Sequence, residues 1–440
     1  MFSFLFPFSS PSLPFLFPFS SLLHTTRERK KKERKKKITK NQRTDSSIWQ
    51  WDYWQAGMAV IDFTNPRART WYSTHLHRLI DTGVDSFKTD FAERIPTKNV
   101  VYHDNSDPTR MHNYYALQYN EVVYNVLSAR LGASNAVLFA RSTAPGGQRY
   151  PVHWGGDCES TYVAMAESLR GGLSLLLSGY VFWASDIGGF EGTPSPALYK
   201  RWVQFGLLSS HSRLHGSGSF RVPWLYGEDC SAVLRECTRR KIMLTPYLLG
   251  AAYWAARDGS RRVMAPLFVE FPGDLNTYAV DTQFMLGPNL MVAPVFCDEG
   301  VVTFYVPDDE EEEGAGERGE PGKEEGGRKK AAWVSFFDSS KTYQGGKWYT
   351  ETHGFDTLPL LVRPGTVTPV NRRLERPDGD ALDGLEVVVN GPLKGGEEVT
   401  VEIVDPQCAH RLLKTLTVRE VEGGEAVVDD GGVVVSTTFV

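Results

Sequence analysis

The chain has 440 residues, of which 41% are hydrophobic, 23% charged and 12% aromatic, with 41 Gly and 25 Pro; this excludes collagen-like, coiled-coil and wholly disordered classes and allows two or three domains. The net charge of -5 hides an asymmetry, because residues 1–43 hold eleven Lys and Arg against two Glu while the rest hold 37 basic and 51 acidic residues. So acidic a body has no electrostatic reason to bind nucleic acid, and no run of apolar residues free of Pro and charge is long enough for a membrane span.

Residues 1–45 read as a disordered, non-native segment. Residues 1–23 (MFSFLFPFSSPSLPFLFPFSSLL) are nearly all Phe, Ser, Pro and Leu. Their prolines break any helix, and the positive charge follows the apolar part where a signal peptide carries it in front. Residues 27–37 (RERKKKERKKK) could serve as a nuclear-localisation or polyanion-binding patch. One reading covers both runs: all-pyrimidine codons followed by all-purine codons, as a translated leader or intron would give.

Then β and α patterns alternate. Residues 57–63 (GMAVIDF) read as a strand, 66–79 as a helix, 84–91 as a strand, 116–131 as a helix, and 136–142 and 150–154 as strands. A helix at 161–177 contains Gly171 and Gly172. It is followed by a strand at 180–187 (YVFWASDI), a helix at 197–208, a short strand or loop at 212–216 and largely helical structure at 232–255. With no Gly-rich phosphate loop, this alternation points to a parallel (β/α) barrel over residues 46–259, not to a nucleotide fold. Counting from residue 57 gives about six of the eight strands that a closed barrel needs. The expected fold class is therefore α/β: a (β/α)8 TIM barrel lacking its first strands, followed by all-β C-terminal domains. Two sheet edges would remain open, so the 440-residue chain is expected to be a poor enzyme.

Beyond residue 260, strand-like runs at 290–296, 301–306, 333–337 and 360–362 sit among Gly and Pro turns, and residues 385–404 and 410–440 alternate Val with polar residues. They predict a proximal β domain at 260–370 and a distal one at 371–440. Residues 308–330, with ten acidic and five basic residues, read as a solvated insertion. The five cysteines (Cys158, Cys230, Cys237, Cys297, Cys408) lack C-x-x-C spacing, and no N-x-S/T sequon occurs. Both features suit a reducing, cytoplasmic location.

Functional side chains of a β/α barrel project from the C-terminal ends of its strands. Period-two alternation places Val84, Ser86, Lys88 and Asp90 on one face, so Lys88 and Asp90 point together and the lysine favours the charged carboxylate. A nucleophile and a buried ion pair are both open readings. Asp157 follows two glycines in VHWGGDC, where a sharp turn could swing it over the barrel mouth and Trp154 could exclude water; an ordinary Gly turn is the alternative. Asp186 in WASDIGGF carries the same two readings. Arg141 could bind a sugar hydroxyl, hold a carboxylate or be an exposed structural residue. His211 and His215 stand four apart, without an HExxH pattern or third ligand, so no metal site is expected. His215 suits a hydrogen bond to substrate or a structural role. No G-x-S-x-G supports a serine nucleophile. Paired acids with aromatic walls suggest carbohydrate chemistry.

These residues lie in long stretches (WQWDYWQAGMAVIDFTNP, GVDSFKTDFAERIP, LFARSTAPGGQRYPVHWGGDC, MAESLRGGLSLLLSGYVFWASDIGGF, KRWVQFGLLSSHSRLHGS and MLGPNLMVAPVF) that resemble glycoside hydrolase family 31, in its α-xylosidase branch, over residues 48–370. The resemblance implies a retaining exo-α-glycosidase releasing terminal α-linked xylose from xylosides or xyloglucan oligosaccharides. Asp90 would be its nucleophile and Asp157 its general acid/base, with Lys88, Arg141, Trp154, Asp186, Phe190 and His215 binding the sugar. It also implies an oligosaccharide or glycoside substrate, no cofactor, no nucleic-acid or membrane partner, and leaves homo-oligomerisation open. Ala92 replaces the Gly usual after the nucleophile's Phe, with little consequence expected. The family's N-terminal β-sandwich and first barrel strands are expected ahead of Trp49, where this chain has its Phe/Ser/Pro and Lys/Arg runs. Alternatives are an α-glucosidase of the same family, or an inactive truncated chain whose basic tail binds polyanions.

Overall fold

The computed structural model describes residues 47–51, 57–309, 332–391, 393, 398–408, 411–421, 425–429 and 436–439. The expected disordered segment at 1–45 and residues 310–330 of the acidic insertion lie outside this set. The chain divides into two compact units, with the boundary between His153 and Trp154.

In the first unit, α1 (Pro66–Asp81) starts at a proline, and the Asn65 side chain ahead of it accepts from the Arg67 N–H at 2.9 Å. After β1 (Phe87–Thr89), α2 (Pro108–Leu131) begins before residue 116, because Asp107 caps it by accepting from the Thr109 N–H at 2.7 Å. β2 (Leu138–Ala140) pairs parallel with β1, and β3 (Val152–Trp154) pairs parallel with β2. Leu76 and Ile80 of α1, Val123, Val126 and Leu127 of α2, and Leu138 and Ala140 of β2 form one apolar core. The expected strand at 57–63 does not form; the segment carries only single bridges, at Ala59, which pairs with Gln50, and at Ile61. Buried Asp62 folds the segment back instead, accepting from the Thr64 N–H at 3.0 Å and the His103 N–H at 2.8 Å. Val60 and Phe63 then pack with Tyr115 and Val122 of α2.

In the second unit, α3 (Tyr162–Leu177) is capped by Thr161, whose hydroxyl accepts from the Ala164 N–H at 3.1 Å. The expected strand at 180–187 breaks in two, β4 (Phe182–Ala184) and β5 (Asp186–Ile187). The break is at Ser185, whose hydroxyl accepts from the Trp202 indole at 3.1 Å. α4 (Pro196–Leu207) is buried from Leu198 onward, and β6 (Arg213–Leu214) pairs parallel with β5. The expected helix at 232–255 is two helices, α5 (Glu228–Met243) and α6 (Thr245–Arg257), because Pro246 removes a helical donor where the chain turns.

The two glycines of α3 differ. A Cβ on Gly172 would lie 2.5 Å from the Trp183 ring, whereas one on Gly171 meets nothing within 4 Å. Gly171→Ala should therefore stabilise the protein by about 0.5–1 kcal/mol through helix propensity. Gly172→Ala should destabilise it by about 1–3 kcal/mol, because the helix must move off its strand. Denaturant titration of the two variants checks the opposite signs.

From residue 264 the structure is nearly all β. β7 (Met264–Ala265), a short helix α7 (Leu267–Glu270), β8 (Phe284–Leu286), β9 (Leu290–Val292), β10 (Val301–Val306), β11 (Trp333–Ser335), β12 (Thr342–Tyr343), β13 (Lys347–Thr352) and β14 (Leu360–Val362) follow in order. β12-β11-β14-β9-β8-β7 form an antiparallel sheet, while β10 pairs with β13. β9 ends before the predicted residue 296 because Pro294 cannot donate to a ladder. This sheet shares one core with α3, α4 and α6, including Trp202, Leu248, Phe284 and Leu361. A second core, including Leu385, Ile403 and Leu416, lies among β15 (Thr366–Asn371), β16 (Leu385–Asn390), β17 (Val399–Val404) and β18 (Leu412–Val421). β19 (Glu425–Asp429) pairs with β18, and β20 (Ser436–Phe439) pairs with β16. At the start of the acidic insertion, Asp309 is anchored by Arg363, whose Nε donates at 2.9 Å. No disulfide joins the cysteines, and among the described residues no helix is long and apolar enough to cross a membrane.

Candidate active site

β1 delivers Asp90 to its C-terminal end. The alternation read from the sequence holds: Thr89 is buried and donates to the Asn120 Oδ1 at 2.7 Å, while Lys88 and Asp90 face the other way. Lys88 Nζ lies 3.2 Å from Asp90 Oδ2, and the Arg141 guanidinium lies 3.5 Å from Oδ1. The same guanidinium reaches Glu93 Oε1 at 2.9 Å, and the Ser142 hydroxyl donates to Glu93 Oε2 at 2.6 Å. Register puts Arg141 there: its N–H continues the β1–β2 ladder by donating to the Thr89 carbonyl at 3.0 Å. The Asp90 side chain remains 41% open to solvent, so this is not a buried ion pair, and Arg141, at 18%, is not an exposed structural residue. Two cations thus hold an accessible carboxylate and fix the direction in which its oxygens point.

The chain leaves Asp90 through a tight left-handed turn, with φ of 58° at Phe91 and 76° at Ala92. Such angles cost an L residue on the order of 1 kcal/mol. The Ala92 departure therefore carries a backbone cost that the sequence reading did not expect. The turn lets the Phe91 N–H donate to Asp90 Oδ1 at 3.1 Å and places the Phe91 ring 4.5 Å from the Arg141 guanidinium.

In the second unit, buried Trp154 ends β3 and Asp157 follows it in an exposed bend. Of the two intervening glycines, Gly156 has the φ of 81° that only glycine adopts easily, while the Gly155 N–H donates to the Ala184 carbonyl at 3.0 Å. Asp186 is fully closed to solvent and accepts from Arg213 Nε at 2.7 Å; the Arg213 guanidinium lies 5.2 Å from the Trp154 ring. A buried carboxylate needs such a partner. The pair follows from the parallel register of β5 and β6, where Asp186 sits opposite Arg213. Phe190 stacks on His215 with ring centroids 5.3 Å apart.

His211 does not join His215. It packs edge-on against Phe182 at 5.2 Å, and burial with neighbouring Lys241 pushes its imidazole down to about 3, so it stays neutral. Among the described residues, no cluster of three or more His, Cys, Asp or Glu could hold a metal ion. Sequence reading missed Glu93, Arg213 and Arg221. Arg213 was within reach, since it stands two residues before His215 on the same strand pattern.

Residues 21–251 match the family model described as the glycosyl hydrolases family 31 TIM-barrel domain. The chain belongs to glycosyl hydrolase family 31. Residues 260–312 match the family 31 C-terminal domain, so this chain carries a TIM-barrel domain followed by a β domain. It is 66% identical over 389 residues to an α-xylosidase of Emericella nidulans, covering 88% of this chain and 48% of that protein. It is 45% identical over 343 residues to an α-xylosidase of Lactiplantibacillus pentosus, covering 75% of this chain and 41% of that protein. The chain thus spans about half or less of the length of these relatives. The cycloalternan-forming enzyme of Listeria monocytogenes, solved with a pentasaccharide substrate, shares the fold with a TM-score of 0.78 at 23% identity, over 92% of this chain and 38% of that one.

Proposed function

We propose that this chain belongs to a retaining exo-α-glycosidase that releases terminal α-linked xylose from xylosides or xyloglucan oligosaccharides. The observation that carries this reading is the accessible Asp90 carboxylate at a strand's C-terminal end, held between Lys88 and Arg141, in a chain of family 31.

Asp90 attacks the anomeric carbon and forms a covalent xylosyl-enzyme while Asp157 protonates the departing glycosidic oxygen. Asp157 then takes a proton from water, which attacks the same carbon and restores free Asp90. Such double displacement needs the two carboxyls roughly 5–5.5 Å apart. Lys88 and Arg141 keep Asp90 aimed, Phe190 and His215 offer a flat wall for the sugar, and Asp186 acts through Arg213 and Trp154. Xylose is favoured over glucose because α-xylosidases are the relatives at 66% and 45% identity.

Xylose lacks the hydroxymethyl group of glucose, and a group of that size changes selectivity by roughly 10–200-fold in a fitted pocket. Compared on 4-nitrophenyl α-xyloside and α-glucoside, kcat/KM should favour the xyloside by about tenfold or more. A preference for the glucoside would overturn the substrate assignment while keeping the reaction class.

A further inference from the structure

Arg221 is almost wholly buried and lies between three loops that carry candidate site residues. Its Nη2 donates to the carbonyls of Gly189 at 2.7 Å, Phe190 at 3.2 Å and Gly192 at 2.8 Å, and to the Ser160 hydroxyl at 3.2 Å. Nε adds a bond to Gly189 O at 3.0 Å, and Nη1 donates to Ser219 O at 2.9 Å and to the Tyr226 hydroxyl at 3.4 Å. None of these partners is a carboxylate. Among the described residues, a cation buried at such cost is kept by carbonyls and hydroxyls, and only a guanidinium has enough donors in one plane to reach them all.

The surrounding glycines fit that plane. A Cβ on Gly216 would lie 2.3 Å from the Arg221 Cζ, and one on Gly188 would lie 3.0 Å from its Cδ. The loops also bind one another: the Phe190 N–H donates to the Cys158 carbonyl at 2.7 Å, and the Ser217 N–H donates to the Phe190 carbonyl at 2.7 Å. Asp157 precedes the first loop, Phe190 lies in the second, and His215 opens the third.

We propose that Arg221 is a positioning residue that fixes these three loops against one another and so sets the aim of Asp157 and the shape of the Phe190–His215 wall. The proposal rests on the reading of Asp157 as the general acid. A misplacement of about 1 Å can cost roughly a hundredfold in rate, and the loss falls on the step that needs the acid.

The test compares the full chain with Arg221→Lys, the milder Ser160→Ala, and Arg201→Lys as a control. Arg201 is an equally buried arginine that donates to the carbonyls of His353 and Gly354 at 2.8 and 2.7 Å, away from these loops. For Arg221→Lys, kcat/KM should fall at least about tenfold on an alkyl α-xyloside, which needs protonation, and less than about threefold on the 2,4-dinitrophenyl α-xyloside, which does not. Ser160→Ala should show the same split, smaller, and Arg201→Lys should show none. Amide hydrogen exchange in 158–160, 189–192 and 215–219 should rise together in Arg221→Lys. Equal losses on both substrates, or unchanged exchange in these segments, would overturn the proposal. If the unsubstituted chain turns over neither xyloside, the functional reading fails instead, and the exchange measurement still decides the role of Arg221.

Discussion

Asp90→Ala should lower kcat/KM on an activated aryl α-xyloside by a factor on the order of 10⁵ relative to the unsubstituted chain, with little change in folding. The side chain is 41% open and its partners Lys88 and Arg141 are themselves partly solvated, so its removal strands no deeply buried charge. The catalytic loss is large because the proposed mechanism forms its covalent intermediate on Asp90. Added azide should not yield the xylosyl azide of retained configuration. That product requires a first displacement by the enzyme, and azide taking the place of Asp90 inverts the centre. Undiminished turnover in Asp90→Ala would remove the assignment.

Asp157→Ala should behave differently. General acid catalysis contributes roughly 10²–10⁴-fold, so an alkyl xyloside should lose about that much. A 2,4-dinitrophenyl xyloside leaves without protonation, and its glycosylation step should be largely spared. The xylosyl-enzyme would then accumulate because no base activates water, and azide, which needs no base, should restore turnover and yield the retained azide. The turn that delivers Asp157 rests on Gly156 at a φ of 81°, and its exposure leaves room for leaving groups of different size. Equal losses on both substrates with no azide effect would assign the acid/base role elsewhere.

Much of the Asp90 environment was legible because it is local or periodic. Alternation along β1 separates Thr89 from Lys88 and Asp90, and the AVLFARS strand brings Arg141 beside them through parallel register. The helix start at Pro66 was legible and that of α4 was placed one residue late, whereas the Asp107–Pro108 start of α2 was missed and that helix was expected only from residue 116. What failed depended on contacts that no short pattern carries. The apolar run at 57–63 alternates like a strand, yet Asp62 bonds its neighbours' N–H groups and folds it into the core. The strand at 180–187 breaks because Ser185 meets an indole from α4. Arg221 looks like any surface arginine in sequence, and its importance appears only where loops from three parts of the chain converge on one guanidinium. The motif resemblance supplied roles for Asp90 and Asp157 that spacing alone had left open.

The central claim is that Asp90 becomes covalently xylosylated. A 5-fluoro-α-xylosyl fluoride carries a good leaving group on an electron-poor ring, so it should load the nucleophile faster than water releases it. After incubation with the chain, proteolysis and mass spectrometry should find one added fluoroxylosyl group, on the peptide containing Asp90, and none in Asp90→Ala. Label on a different carboxylate, or fluoride release with inverted product and no adduct, would contradict the account.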